Sequence, residues 1–376
     1  MHGKRFSARI GVPLGGLLTL AVGCGDGESA LAERDGGTRS GLDAGRGSGP
    51  GPNADPTPPA TQAADAGGRS QLDTASDAGA PVCEGLSARV LAEELVDTDA
   101  ALSDLTFNGN VAAFVDAALA RRYPFGLELV RGGRRDTSFG DCSVVFAEPA
   151  ESAADVYSSM EVIVHECGHI HDSFLSSGNR NVYELNAERR YQCDRGDTTS
   201  RGGDTFARSR IGSDAFEALR PPCAGNRSAG CDPYADIYLD GNPDDGVFES
   251  GDQGFNLLME EAVQYVHSLA TAWAFEDRQP QFIAVSARDG ILTFLWYVER
   301  YLRLARTQYP SAYARIANDQ CWRELTLSVW TRARRYLELT RAEITLGIED
   351  EDIEELVNDP VLLAEIERLR ALQGCP

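Results

Sequence analysis

Apolar residues recur every three to four positions over most of the C-terminal half of the chain. Phe255 to Ala274, Gln281 to Thr307, Ala312 to Leu339 and Ile353 to Leu372 all carry this spacing, which predicts amphipathic helices. Leu86 to Leu95 and Val111 to Arg122 read the same way. Phe125 to Arg131 and Cys142 to Ala147 are instead rich in β-formers and separated by Gly132-Gly133 and other turn residues, which predicts a hairpin or two edge strands. Ser158 and Ser159 can cap a further helix from Met160 to Leu175, closed by Ser176-Ser177-Gly178. From Cys193 to Gly254 the periodicity breaks at turn clusters, among them Asp240 to Gly246. That cluster has the Asp and Gly of a calcium loop, but its glycine falls one place late and no terminal Glu follows, so it reads as a solvated turn. The expected fold class is α+β, mostly α, with a helical C-terminal half.

The N-terminus follows a different pattern. Lys4, Arg5 and Arg9 precede an apolar run of 13 residues, Ile10 to Val22, which is the layout of a secretory signal peptide and too short to span a bilayer comfortably. Leu20-Ala21-Val22-Gly23-Cys24 resembles a bacterial lipobox, with Ala21 where Leu is preferred; the resemblance implies lipidation of Cys24 after cleavage. Gly25 to Ala80 has no aromatic residue, no Ile and no Val, so it cannot bury enough apolar area to offset its ordering entropy and reads as a tether. The expected organisation is a signal peptide over 1–23, a lipidated linker over 24–80 and one domain over 81–376. Within that domain, 81–180 carries the first helices, 181–254 is a loop-rich cysteine-containing insert and 255–376 is helical. The chain is thus expected to be exported and held in the cell envelope by lipid alone, at the outer membrane because Gly25, not Asp, follows Cys24.

A net charge of −23 gives no basic patch for nucleic acid or anionic lipid. Nine cysteines less Cys24 leave eight, an even number suited to disulfides in an exported chain. Cys193, Cys223 and Cys231 lie in a Gly-, Arg- and Asp-rich region where at least one bridge is expected, whereas Cys167 reads as a packing residue.

Three of the five histidines fall between positions 165 and 171. His165 and His169 are one helical turn apart on one face, the spacing needed to hold one tetrahedral zinc ion per chain. Glu166 lies beside that ion as general base, taking a proton from a zinc-activated water and passing it to the leaving amine. A chance HExxH in a chain this poor in histidine is expected at about one per cent or below. Met160, Ile163, Cys167, Ile170 and Phe174 form an apolar stripe on the opposite side. His171 returns towards that stripe and reads as a structural histidine, and Asp172 as a group that orients a histidine or, failing that, a ligand in its own right.

A catalytic zinc needs a third protein ligand. The pattern with a further histidine six places after His169 and a glycine before it is excluded, because Leu175 and Asp172 stand there. That points to a glutamate on a second helix. Glu188 lies 19 residues after His169, as in aminopeptidase-type gluzincins, but Arg189-Arg190 follow it. The run Leu258 to Val266 resembles gluzincin ligand helices, with Glu260 as the ligand and Gln264 one turn on, able to hydrogen-bond a zinc histidine from behind. Shifting to Glu261 puts Tyr265 in that place. Glu260 ranks first, Glu261 second and Glu188 third.

His165-Glu-Cys-Gly-His169-Ile-His-Asp172 followed by a glutamate-bearing helix is also similar to the catalytic domain of the anthrax lethal factor type, with its HExGHxxD run. The resemblance covers two short helices and implies a zincin-like metallopeptidase domain and peptide-bond hydrolysis. Tyr238, Tyr265 and His267 are the candidate oxyanion donors. The expected function is a zinc-dependent endopeptidase acting on a peptide or protein substrate. The alternative is a non-catalytic surface-binding lipoprotein that keeps the zincin scaffold, and a zinc hydrolase of non-peptide amides is a third. Retention of Glu166 favours an enzyme, since a scaffold has no use for a carboxylate aimed at the zinc water.

Overall fold

Proline and glycine set the first turns of the structure. In the computed structural model, which describes residues 83, 86, 96–138, 140–147, 149–194, 207–226, 228–239, 254–279 and 286–375, α1 (Val111–Arg122) starts at Asn110, whose side chain accepts from the Ala113 N–H. Tyr123 separates it from α2 (Pro124–Gly133), where proline occupies the first position and its missing N–H costs nothing. The stretch expected as a strand is therefore a helix, and so is α3 (Cys142–Val145), capped by Asp141. The reason is packing. Phe125, Leu129, Val130 and Gly133 bury one helical face, and β-propensity yields to that burial. Gly132 and Gly133 are not turn residues; a Cβ at 132 would come 2.0 Å from His171 Nδ1, and one at 133 would come 2.5 Å from the Cys167 carbonyl oxygen.

That close approach is made to α4 (Ala153–Leu175). This helix begins at Ala153, well before Met160, because Ser152 and Asp155 form a reciprocal capping box. Phe174, expected in the apolar stripe, is exposed. Strands β1 (Arg180–Asn186) and β2 (Arg189–Asp194) then form an antiparallel hairpin with a bulge between Glu184 and Asn186, in a region expected to be loop-rich. It is the one sheet among the described residues. After a short α5 (Ala235–Tyr238) come α6 (Phe255–Ala274), α7 (Ala287–Gln308), α8 (Pro310–Asn318), α9 (Gln320–Leu339), α10 (Asp350–Val357) and α11 (Pro360–Leu372). Two of the predicted C-terminal periodicities, Ala312 to Leu339 and Ile353 to Leu372, each split. Asp319 caps α9, and Asp359-Pro360 starts α11 afresh.

Helix α4 packs between α2 and α6; α6 packs on α7, and α7 carries α8, α10 and α11 on its other flanks. The fold is mostly helical, as expected. The segments expected as signal peptide and linker, Cys24 with them, most of Leu86 to Leu95 and residues 240–246 lie outside the described residues. No helix among the described residues is long and apolar enough to cross a membrane.

All eight cysteines other than Cys24 are paired: Cys83–Cys375, Cys142–Cys167, Cys193–Cys321 and Cys223–Cys231. Cys167 is thus a bridge to α3, not a packing thiol. A closed loop of 25 residues lowers the entropy of the unfolded chain enough to stabilise the fold by about 3 kcal/mol. Cys223–Cys231 is the bridge expected in the glycine-rich region, while Cys193 ties β2 to α9.

One buried carboxyl works against this core. Glu299 on α7 is fully buried, neither carboxyl oxygen has a hydrogen-bond partner, and burial, reinforced by Asp359 and Glu365 and opposed by Arg334, pushes its pKa up to about 10. A carboxyl whose folded pKa lies above its unfolded value stabilises below the unfolded value, near 4.5, and that contribution is lost as pH rises towards 10. Glu299→Gln should therefore gain stability over wild type on the order of 3 kcal/mol between pH 4.5 and pH 7. Urea midpoints measured across that range check it, and parallel pH profiles for the two proteins would contradict it.

Candidate metal centre

His165 and His169 project from the face of α4 that α6 covers, and both are buried. Their Nε2 atoms lie 3.0 Å apart, and Glu261 Oε2 from α6 completes a triangle at 3.6 Å from His165 and 3.5 Å from His169. Those last two are ion-pair distances, not hydrogen bonds, and Glu261 Oε2 accepts no hydrogen bond at all. His165, His169 and Glu261 are the one group of this kind among the described residues that could hold a metal ion.

The outer ring nitrogens explain which way the histidines face. His169 Nδ1 lies 3.1 Å from Glu260 Oε1, which as a carboxylate oxygen only accepts, so Nδ1 carries the hydrogen. His165 Nδ1 lies 3.0 Å from Ser268 Oγ, which can accept as well. In the neutral ring of each, Nε2 is then the lone-pair atom turned to the carboxylate of Glu261. Burial alone would lower the pKa of His169, but Glu261 and Glu260 outweigh it and hold that pKa well above its ordinary value. Burial alone would raise Glu261, and His169 and His165 hold it well below the usual carboxylate range. The cluster is short of positive charge at its centre.

This geometry reverses the order of the two adjacent glutamates. Glu260, ranked first as ligand, stands behind His169, and Glu261 faces the Nε2 pair, because a one-residue step turns a helical side chain by about 100°. Glu188 is in the exposed β1–β2 turn, where its N–H donates to Asn186 Oδ1, and takes no part. Gln264 does not reach a histidine; its Nε2 donates to Asp172 Oδ2 at 3.1 Å and to Glu260 Oε1 at 3.2 Å. Asp172 likewise orients no histidine directly, but receives Gln264 and the Glu184 N–H. Burial, with Glu260 and Glu184 adding to it, raises its pKa well above the carboxylate range. His171 is the structural histidine expected, its Nε2 2.8 Å from Glu184 Oε2.

Glu166 is buried beside the cluster; burial raises its pKa, while His165 and His169 lower it. Of the three candidate oxyanion donors, His267 is committed elsewhere. Its Nε2–H donates to the Glu184 carbonyl at 2.9 Å, its Nδ1 takes the Tyr123 hydroxyl at 3.0 Å, and burial lowers its pKa to about 4. Tyr265 stands edge-on to the His165 ring at 4.7 Å and stacks on Phe294. Burial, with Glu261 and Glu166 adding to it, raises the pKa of the Tyr238 hydroxyl well above its ordinary value. The residue missed altogether is Ser268. Its signal was a polar stripe, Glu260, Glu261, Gln264 and Ser268, on one face of a largely apolar, buried helix.

Comparison with known protein families, characterised proteins and solved structures gives no match.

Zinc titration of single variants checks the ligand order. Glu261→Gln should weaken zinc binding by more than about 100-fold, and Glu260→Gln by roughly 10–100-fold, as for the loss of a group behind a ligand. The reverse order would return Glu260 to the ligand set.

Proposed function

We propose that this chain is a gluzincin-like zinc endopeptidase of the cell envelope, with His165, His169 and Glu261 as metal ligands and Glu166 as general base. One observation carries the reading. A tetrahedral zinc with nitrogen and oxygen ligands at roughly 2.0–2.1 Å sets those ligand atoms about 3.3 Å apart, and the three facing atoms here stand 3.0 to 3.6 Å apart. The orphaned Glu261 Oε2 and the two inward lone pairs fit that ion. The similarity of the HExGHxxD run to the lethal factor type supports the same zincin-like reading.

When bound, zinc supplies Lewis-acid polarisation of the scissile carbonyl and acidifies a water. The remaining work falls to the chain. Glu166, adjacent to His165 and held by the same helix, takes one proton from the attacking water as its oxygen bonds to the carbonyl carbon. It returns that proton to the nitrogen as the C–N bond breaks. Tyr265, whose ring lies against His165, and Tyr238 are the candidate donors to the oxyanion. Glu260 and Ser268 hold the imidazoles so that Nε2 faces inward.

Four disulfides support an oxidising compartment. Cys24, the ninth cysteine, is left for the lipid that the N-terminal pattern implies. The reading is therefore of an exported lipoprotein acting on peptide or protein.

Glu166→Gln should leave zinc affinity within a few-fold of wild type and lower peptide cleavage by about 1000-fold, measured by mass spectrometry on a mixed peptide library. Cleavage by wild type should stop with a chelator and return with zinc. Full activity in Glu166→Gln would contradict the mechanism, and stoichiometric zinc without cleavage by wild type would favour the binding lipoprotein.

A further inference from the structure

The motif helix contains a glycine that its own stability does not ask for. Gly168 lies in the interior of α4, where alanine would be the better helix former. What stands over it is the amide of Gln264 from α6. A Cβ at 168 would come 2.0 Å from Gln264 Oε1, 2.8 Å from Cδ and 3.3 Å from Nε2.

The amide has one workable orientation. Its two N–H groups serve two carboxyls, Asp172 Oδ2 at 3.1 Å and Glu260 Oε1 at 3.2 Å, and Glu260 Oε1 is the same atom that faces His169 Nδ1 at 3.1 Å. Turned over, the amide would set its oxygen against both carboxyls. Its Oε1 is instead buried against the α4 backbone without a hydrogen-bond partner. An unsatisfied buried acceptor is costly, and the orientation that leaves it so is the one that joins Asp172, Glu260 and His169 into a single chain of contacts.

We propose that Gln264 is the positioning residue of the metal centre, clasping Glu260 against His169, and that position 168 is glycine to admit its amide. This rests on the metal-site reading above. It differs from a direct hydrogen bond between Gln264 and a ligand. The amide acts through Glu260, and the glycine acts through the amide.

The test is a double-mutant cycle on the full-length protein, reading zinc affinity by competition with a chromophoric chelator and thermal midpoints of the metal-free form. Gln264→Ala should weaken zinc binding by about 10–100-fold, and Gly168→Ala by a similar factor despite alanine's helix propensity. The pair G168A/Q264A should bind no more weakly than Gln264→Ala alone, because the added methyl then meets nothing. If Gly168→Ala fails to fold, folding of the pair supports the clasp and failure of the pair overturns it. Additive losses in affinity would overturn it, as would wild-type affinity in Gln264→Ala. A wild type that takes up no zinc would instead overturn the metal reading on which it stands.

Discussion

Two imidazole Nε2 atoms and a carboxylate oxygen face one another across 3.0 to 3.6 Å in a buried space. Acceptor atoms at that range, away from water, repel by several kcal/mol unless a proton or a metal ion is shared among them. The arrangement of α4 and α6 is the response to this constraint. The helices come close enough to share the cluster because Gly168 removes a side chain from their contact, and polar residues of α6 occupy the seam where apolar ones would pack better.

The surrounding elements steady that seam from behind. Gly132 and Gly133 let α2 lie against the motif helix, and Cys142–Cys167 fixes α3 to it between Glu166 and Gly168. The hairpin contributes from the far side: the Glu184 N–H reaches Asp172, the Glu184 carboxylate takes His171, and its carbonyl takes His267. Burial alone would raise the pKa of Glu184, but His171 and Arg190 keep it below the usual range, so it remains a charged anchor. Two further histidines, His171 and His267, thus serve the fold and the ring of contacts around the pair that faces Glu261.

The C-terminal helices and the pairing of His165 with His169 on one face were legible because both depend on local periodicity. Val111–Arg122 and Phe255–Ala274 match the apolar spacing residue for residue. What failed was decided by distant contacts. Phe125 to Arg131 carries β-forming residues, yet burial against α4 makes it helical; the hairpin at 180–194 was overlooked among polar residues and arginines. The choice between Glu260 and Glu261 was beyond sequence pattern, because either side chain suits a ligand helix and only the rotation of α6 against α4 decides which faces the Nε2 atoms. Cys167 misled for a similar reason: an apolar stripe contains buried thiols and buried bridges alike, and its partner lies 25 residues away.

The most direct test of the central claim is the zinc X-ray absorption spectrum of the full-length protein loaded with one equivalent of metal. Two imidazole rings and oxygen ligands at roughly 2.0–2.1 Å, with no sulfur near 2.3 Å, are expected, and Glu261→Gln should alter the oxygen shell while Glu260→Gln leaves it in place. Fewer than two imidazoles, a sulfur shell, or a spectrum that changes with Glu260 and not Glu261 would contradict the account.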